Sequence, residues 1–132
     1  MTIHDYLAEA QSSFRVHHKK TYPEQKEETK PVVEVFIELG IPRFFGHFEK
    51  ALQWNKNKEC GFLFGDSITY VDLTLYHALR STEVQWPDLW KNSFAKDYPL
   101  LAAFKERIGQ RPRIKAYVES DKPLPYQGDS LM

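Results

Sequence analysis

The sequence lacks the features that mark several whole classes of protein. Its single cysteine, Cys60, in 132 residues can close no internal disulfide, which excludes a disulfide-stapled scaffold and fits a reducing compartment. Net charge is missing too. Lys+Arg and Asp+Glu are each 18, so the formal charge is +0 and no global field draws nucleic acid or an anionic membrane. No apolar run approaches the roughly 20 residues that a membrane-spanning helix requires. The opening Met1-Thr2-Ile3-His4-Asp5 lacks the basic and apolar regions of a secretory signal, so the expectation is a cytoplasmic protein. Glycines are few and scattered at expected helix ends and turns, so no phosphate-cradling loop is present. There is no internal repeat, no low-complexity tract and no strand signal longer than residues 61–64.

What is present is apolar and aromatic mass, 42% and 14% of the residues, which suits a single domain burying roughly two-thirds of its unfolded surface. The organising stretch runs over residues 62–79. Thr69 and Asp72 have the spacing of a capping box, in which hydroxyl and carboxylate each take the other residue's amide. Ile68 and Leu73 occupy the positions of a hydrophobic staple. Beyond the cap, Tyr70, Val71, Leu73, Leu75, Tyr76, Ala78 and Leu79 fall on nearly every side, which predicts a helix buried at the centre of a bundle.

The other segments read as helices around it. Ile3, Tyr6, Leu7, Ala10, Phe14 and His17 form one stripe behind a second box, Thr2 and Asp5. The polar stretch that follows breaks near residues 20–22, before Pro23, and its mixed charges read as a solvated helix face. Pro31 kinks or restarts the helix, and Val32, Val33, Phe36 and Leu39 continue an apolar stripe to Gly40, read as a helix stop. Pro42 opens the next helix, whose inner face is Ile41, Phe44, Phe45, Phe48, Ala51 and Leu52, and which ends in a polar loop at 55–59. A turn at Trp86-Pro87 precedes a short helix burying Leu89, Trp90 and Phe94. Pro99, with Asp97 as cap candidate, starts a helix facing inward through Leu101, Phe104 and Ile108 and stopped by Gly109. Pro112 starts the last helix, with Ile114, Tyr117 and Val118 inward. The expectation is an all-α domain over 1–120 and an extended tail over 121–132.

Little here reads as chemistry. His17 and His18 are neighbours, so on a helix they diverge and cannot make the i, i+4 pair of a zinc helix; no metal site is expected. His47 and His77 sit beside aromatic residues as structural histidines. Ser12, Ser13 and Ser67 lack a nucleophile-elbow setting. Capping accounts for the Asp72 carboxylate without an acid–base role.

Three segments carry a family resemblance. Phe-Leu-Phe-Gly-Asp-Ser-Ile-Thr-Tyr-Val-Asp-Leu over 62–73 resembles the signature that starts the core helix in the C-terminal domain of cytosolic glutathione transferases. Ile-Pro-Arg-Phe-Phe-Gly-His-Phe-Glu-Lys-Ala-Leu over 41–52 resembles the preceding helix. Tyr98-Pro99-Leu100-Leu101 and Arg111-Pro112-Arg113-Ile114-Lys115-Ala116-Tyr117 resemble the last two. The resemblance implies a helical bundle that walls the pocket for a hydrophobic electrophile and holds dimer and interdomain contacts. In such proteins glutathione, the co-substrate, is bound by an N-terminal thioredoxin-like domain that also activates the thiol. No such pattern lies in these residues, so no catalytic residue is expected in this chain, which by itself should be inactive. By resemblance, Ser13, Val16 and His17 face the substrate pocket, and Glu9 reaches the glutathione of the partner subunit in a homodimer. The first helix begins almost at residue 1, which suggests a chain that starts inside a longer protein. A second reading is a free-standing, non-catalytic protein-interaction module of the same fold.

Overall fold

The structure is a computed structural model that describes residues 2–13, 26–55, 60–120 and 122–123. Every regular element among these is helical. Helix α1, Ile3–Ser13, starts on the Thr2 and Asp5 box: the Asp5 carboxylate accepts from the Thr2 amide at 2.7 Å, and the Asp5 amide donates to the Thr2 hydroxyl at 3.1 Å. One turn on, Tyr6 enters the core. Its ring stacks on Phe44 at 4.2 Å and meets Phe45 edge-on at 4.9 Å. Its hydroxyl lies 2.6 Å from Thr82 Oγ1; that threonine donates its own proton to the Ala78 carbonyl, so Tyr6 is the donor. A buried phenol is satisfied and α1 is tied to the central helix.

Helix α2, Lys26–Val35, runs through Pro31 without restarting there. It continues as a π-helical turn, Phe36–Gly40, directly into α3, Ile41–Trp54. Gly40 is therefore not the helix stop expected of it: its φ of −69 and ψ of −49 are helical. The reason for glycine is contact. A Cβ at Gly40 would stand 2.6 Å from Cδ2 of the Phe36 ring, which is buried over it. Pro42 likewise follows no break. Proline lacks an amide and crowds the carbonyl four residues back, and here the turn is already opened, with the Ile41 amide bonding five residues back to Phe36. Of the stripe read through this region, Phe36 is buried and Val33 packs against the core, but Val32 and Leu39 face outward, Leu39 with 66% of its surface exposed. The inner face of α3 is as read: Ile41, Phe44, Phe45, Phe48 and Leu52 are buried.

Helix α4, Tyr70–Gln85, is the central rod, but it is not buried all round. Asp72, Leu75, Ala78, Leu79, Ser81 and Thr82 face the core, while Tyr70 is 81% and Leu73 45% exposed. Apolar composition on every side records what each flank could bury; α4 has neighbours in α1 and in the later helices Pro87–Leu89 and Pro99–Gly109, and the strip that carries Tyr70 and Leu73 faces away from the core. The same geometry separates the staple positions. Ile68 packs against the core and Leu73, one residue round from buried Asp72, turns out.

After Trp86 the chain forms α5, Pro87–Leu89, a second π-helical turn, Trp90–Phe94, and α6, Ala95–Asp97. Trp90 and Phe94 stack at 4.3 Å, and Phe94 meets Phe45 edge-on at 4.9 Å. Helix α7, Pro99–Gly109, buries Leu101, Phe104 and Ile108 completely between α3 and α4. Asp97 does not cap it, because Asp97 closes α6. The cap comes from α3, where Glu49 takes the amides of Leu100 and Leu101 on its two oxygens, both at 2.9 Å. Helix α8, Pro112–Val118, docks on α7 through half-buried Ile114; Tyr117, expected inward, is 53% exposed. The break read at 20–22 and the tail lie outside the described residues, apart from 122–123.

Candidate functional site

The most heavily hydrogen-bonded carboxylate among the described residues is in the latch at the start of α4. Asp72 is fully buried, and its carboxylate accepts three hydrogen bonds: from the Leu63 amide at 2.9 Å, the Thr69 amide at 2.8 Å and the Thr69 hydroxyl at 2.8 Å. With the Thr69 side chain also facing the Asp72 amide, the capping box is reciprocal. The Leu63 bond goes further than a cap, because it fastens the preceding loop to the helix. From the other side Asn55 holds that loop, donating Nδ2 to the Phe62 carbonyl at 2.7 Å and to the Gly65 carbonyl at 3.1 Å. Gly61 and Gly65 turn the loop with φ of 65 and 63, values a side chain disfavours. A carboxylate so engaged is a structural tie. All its bonds are inside the chain.

Ser13 closes α1, whereas Val16 and His17 lie outside the described residues. Glu9, assigned to glutathione, is half-exposed, and its carboxylate accepts from Arg43 Nη2 at 2.6 Å. Two helices carry exposed apolar side chains at helical spacing: Val32, Val35 and Leu39 along α2 and its π turn, and Tyr70, Leu73 and Val84 along α4. His77 stands on that outer flank of α4; burial and then the Arg80 charge hold its pKa below the ordinary value. His47 is exposed, edge-on to Phe48 at 5.3 Å. Among the described residues no three of His, Cys, Asp and Glu gather to hold a metal ion. None of their helices is long and apolar enough to cross a membrane.

Sequence reasoning missed two ties between distant elements. Glu49 was legible only as half of a Phe-Glu pair. Lys105 is buried against the Trp90 face at 5.1 Å and pairs with Glu83 at 2.7 Å and Glu106 at 3.1 Å. A lysine between Phe104 and Glu106 carries no local sign of burial.

The described residues thus form a helical bundle whose core rod is started by a Thr-Asp latch and which leaves apolar strips of α2 and α4 exposed. Its family follows from comparison. The model for the C-terminal domain of glutathione S-transferases matches residues 6–121, and the chain belongs to that family. It is 35% identical over 91 residues to a glutathione S-transferase of Plasmodium yoelii yoelii, covering 69% of this chain and 40% of that protein. Similar matches are glutathione S-transferase P 1 of Bufo bufo, 36% over 92 residues covering 68% and 41%, and glutathione S-transferase alpha-4 of Rattus norvegicus, 35% over 98 residues covering 74% and 39%. The chain thus spans about 40% of the length of these relatives.

Proposed function

We propose that this chain is the helical substrate-pocket and dimerisation part of a cytoplasmic enzyme that conjugates glutathione to hydrophobic electrophiles. A thioredoxin-like domain binds glutathione and activates its thiol; the helical domain shapes the second half of the cavity. Ser13, Val16 and His17 line that cavity, and Glu9 reaches the glutathione held by the partner subunit of a homodimer. The exposed Arg43 pair does not forbid this, since such surface pairs are worth about 0–1 kcal/mol and exchange readily. The observation that carries the reading is the exposed apolar flank of α4, Tyr70 and Leu73, in a chain that matches only about 40% of the length of its relatives.

Two measurements test it. Incubated with glutathione and a chlorinated nitroaromatic, this chain alone should give no conjugation above the uncatalysed rate. Fused behind a thioredoxin-like glutathione-binding domain, it should turn over, and the amides around Tyr70 and Leu73 should gain protection from hydrogen exchange. Turnover by the chain alone would mean that a thiol-activating residue lies within it. An inert fusion with an unprotected α4 flank would leave the non-catalytic interaction module as the better reading.

A further inference from the structure

We propose that the cleft between α3, the loop at Gly61 and α7 binds a small aromatic monocarboxylate. The cleft has a volume of about 290 Å³ and is lined by Leu52, Gln53, Gly61, Leu100, Ala103 and Arg107. No residue of α1 contributes, so the proposal does not rest on the pocket assigned above. Its size is near the lower end of small-molecule sites, which begin at about 300 Å³, and suits a body of about two fused rings.

The charge of the occupant follows from Arg107. A guanidinium has five N–H donors, and here one is given to the Gly61 carbonyl while the group lies 5.8 Å from the centre of the Phe104 ring. Neither contact neutralises it. The ion pairs among the described residues use Arg43, Lys105 and Lys115, and none uses Arg107. A cation with spare donors at the rim of an apolar cleft selects an anion, and a planar fork suits a carboxylate best.

The walls are held in place for this. Leu100 is fixed because its amide is taken by buried Glu49, so the first turn of α7 cannot drift from α3. Gly61 keeps the arginine seated, because a Cβ there would run into the guanidinium. Leu52, Leu100 and Ala103 then offer flat apolar contact to the body of a ligand whose carboxylate meets Arg107.

The test uses 2-naphthoate and its uncharged amide, 2-naphthamide, with methyl NMR of the intact chain. The naphthoate should shift the methyls of Leu52, Leu100 and Ala103 and bind at least about threefold more tightly than the amide, as for a partly exposed charge pair. Arg107→Gln should abolish that preference and leave amide binding in place, while Arg107→Lys, which keeps the charge, should retain part of it. Equal affinity for the two probes, or shifts confined to other methyls, would overturn the proposal. So would a preference that survives in Arg107→Gln. Should the Gln variant unfold, wild type and Arg107→Lys still decide the matter through the naphthoate-to-amide ratio.

Discussion

Removing the Asp72 carboxylate should destabilise the domain by more than a helix cap alone is worth. Thr69→Ala removes one side of the box and should cost about 0.5–2 kcal/mol, the usual loss for a cap. Asp72→Ala removes three acceptor contacts at once. Leu63, whose amide then loses its partner, is buried, and an orphaned buried donor costs about 1–3 kcal/mol on top of the cap. The sum is about 1.5–5 kcal/mol, a large share of the roughly 5–15 kcal/mol by which native domains are stable. Urea denaturation measures it directly. With a slope of about 1–3 kcal/mol per molar urea, the midpoint should fall by roughly 0.5 M or more at unchanged slope. The double variant should fall short of additivity, because Thr69 and Asp72 act through the same bonds. A midpoint for Asp72→Ala no lower than that of Thr69→Ala would refute the idea that the Leu63 bond adds anything to the cap.

Lys105 makes alkaline stability depend on a buried lysine paired with more exposed carboxylates. Burial opposes its charge, but hydrogen bonds and charges from Glu83 and Glu106 outweigh burial and raise its pKa above the ordinary 10.5. The folded state therefore holds this proton more tightly than the unfolded chain. The contribution is complete below pH 10.5 and disappears as pH rises through the higher folded value. Tyr6, whose phenol burial also pushes upward, adds a loss of the same sign, so the lysine share is read from Glu83→Gln, which should flatten the alkaline fall in melting temperature. Gly40→Ala should destabilise by about 1–3 kcal/mol, the ordinary cost of overfilling a core, because the new methyl meets the Phe36 ring; a glycine at the same helical φ with open space beside it would instead gain about 0.5–1 kcal/mol from Ala. Thermal unfolding with near-ultraviolet dichroism of the displaced aromatic cluster checks this.

Local and periodic features were legible in the sequence. The Thr69 and Asp72 box spans three residues and could be read from spacing alone, as could the inner face of α7, Leu101, Phe104 and Ile108. What failed depended on where a third element sits. Gly40 looked like a stop because glycine commonly ends helices, yet its conformation is helical and its role is set by the Phe36 ring. Tyr70, Leu73 and Tyr117 looked buried because they are apolar, and periodicity does not say which flank has a neighbour. For the pocket residues, the resemblance supplied Glu9, Ser13, Val16 and His17, and of their side chains the structure describes only Glu9, turned to Arg43.

Glu49 shows why the unread part matters for function. Its partners are 51 and 52 residues away, so no window of sequence could pair them. Proline at position 99 starts α7 but donates nothing, and the next two amides, one part-buried and one buried, have no partner within the helix. A carboxylate from α3 supplies both acceptors at the positive end of the helix dipole, where negative charge is favoured. The consequence is geometric. With α7 clamped to α3 at one end and the loop clamped to α4 by Asp72 at the other, the bundle is closed by polar ties between elements, and side chains facing outward from it are held on fixed backbone. The exposed flank of α4 and the cleft beside Arg107 are therefore preformed surfaces, which is what a domain needs if it is to meet a partner or a ligand without first reorganising.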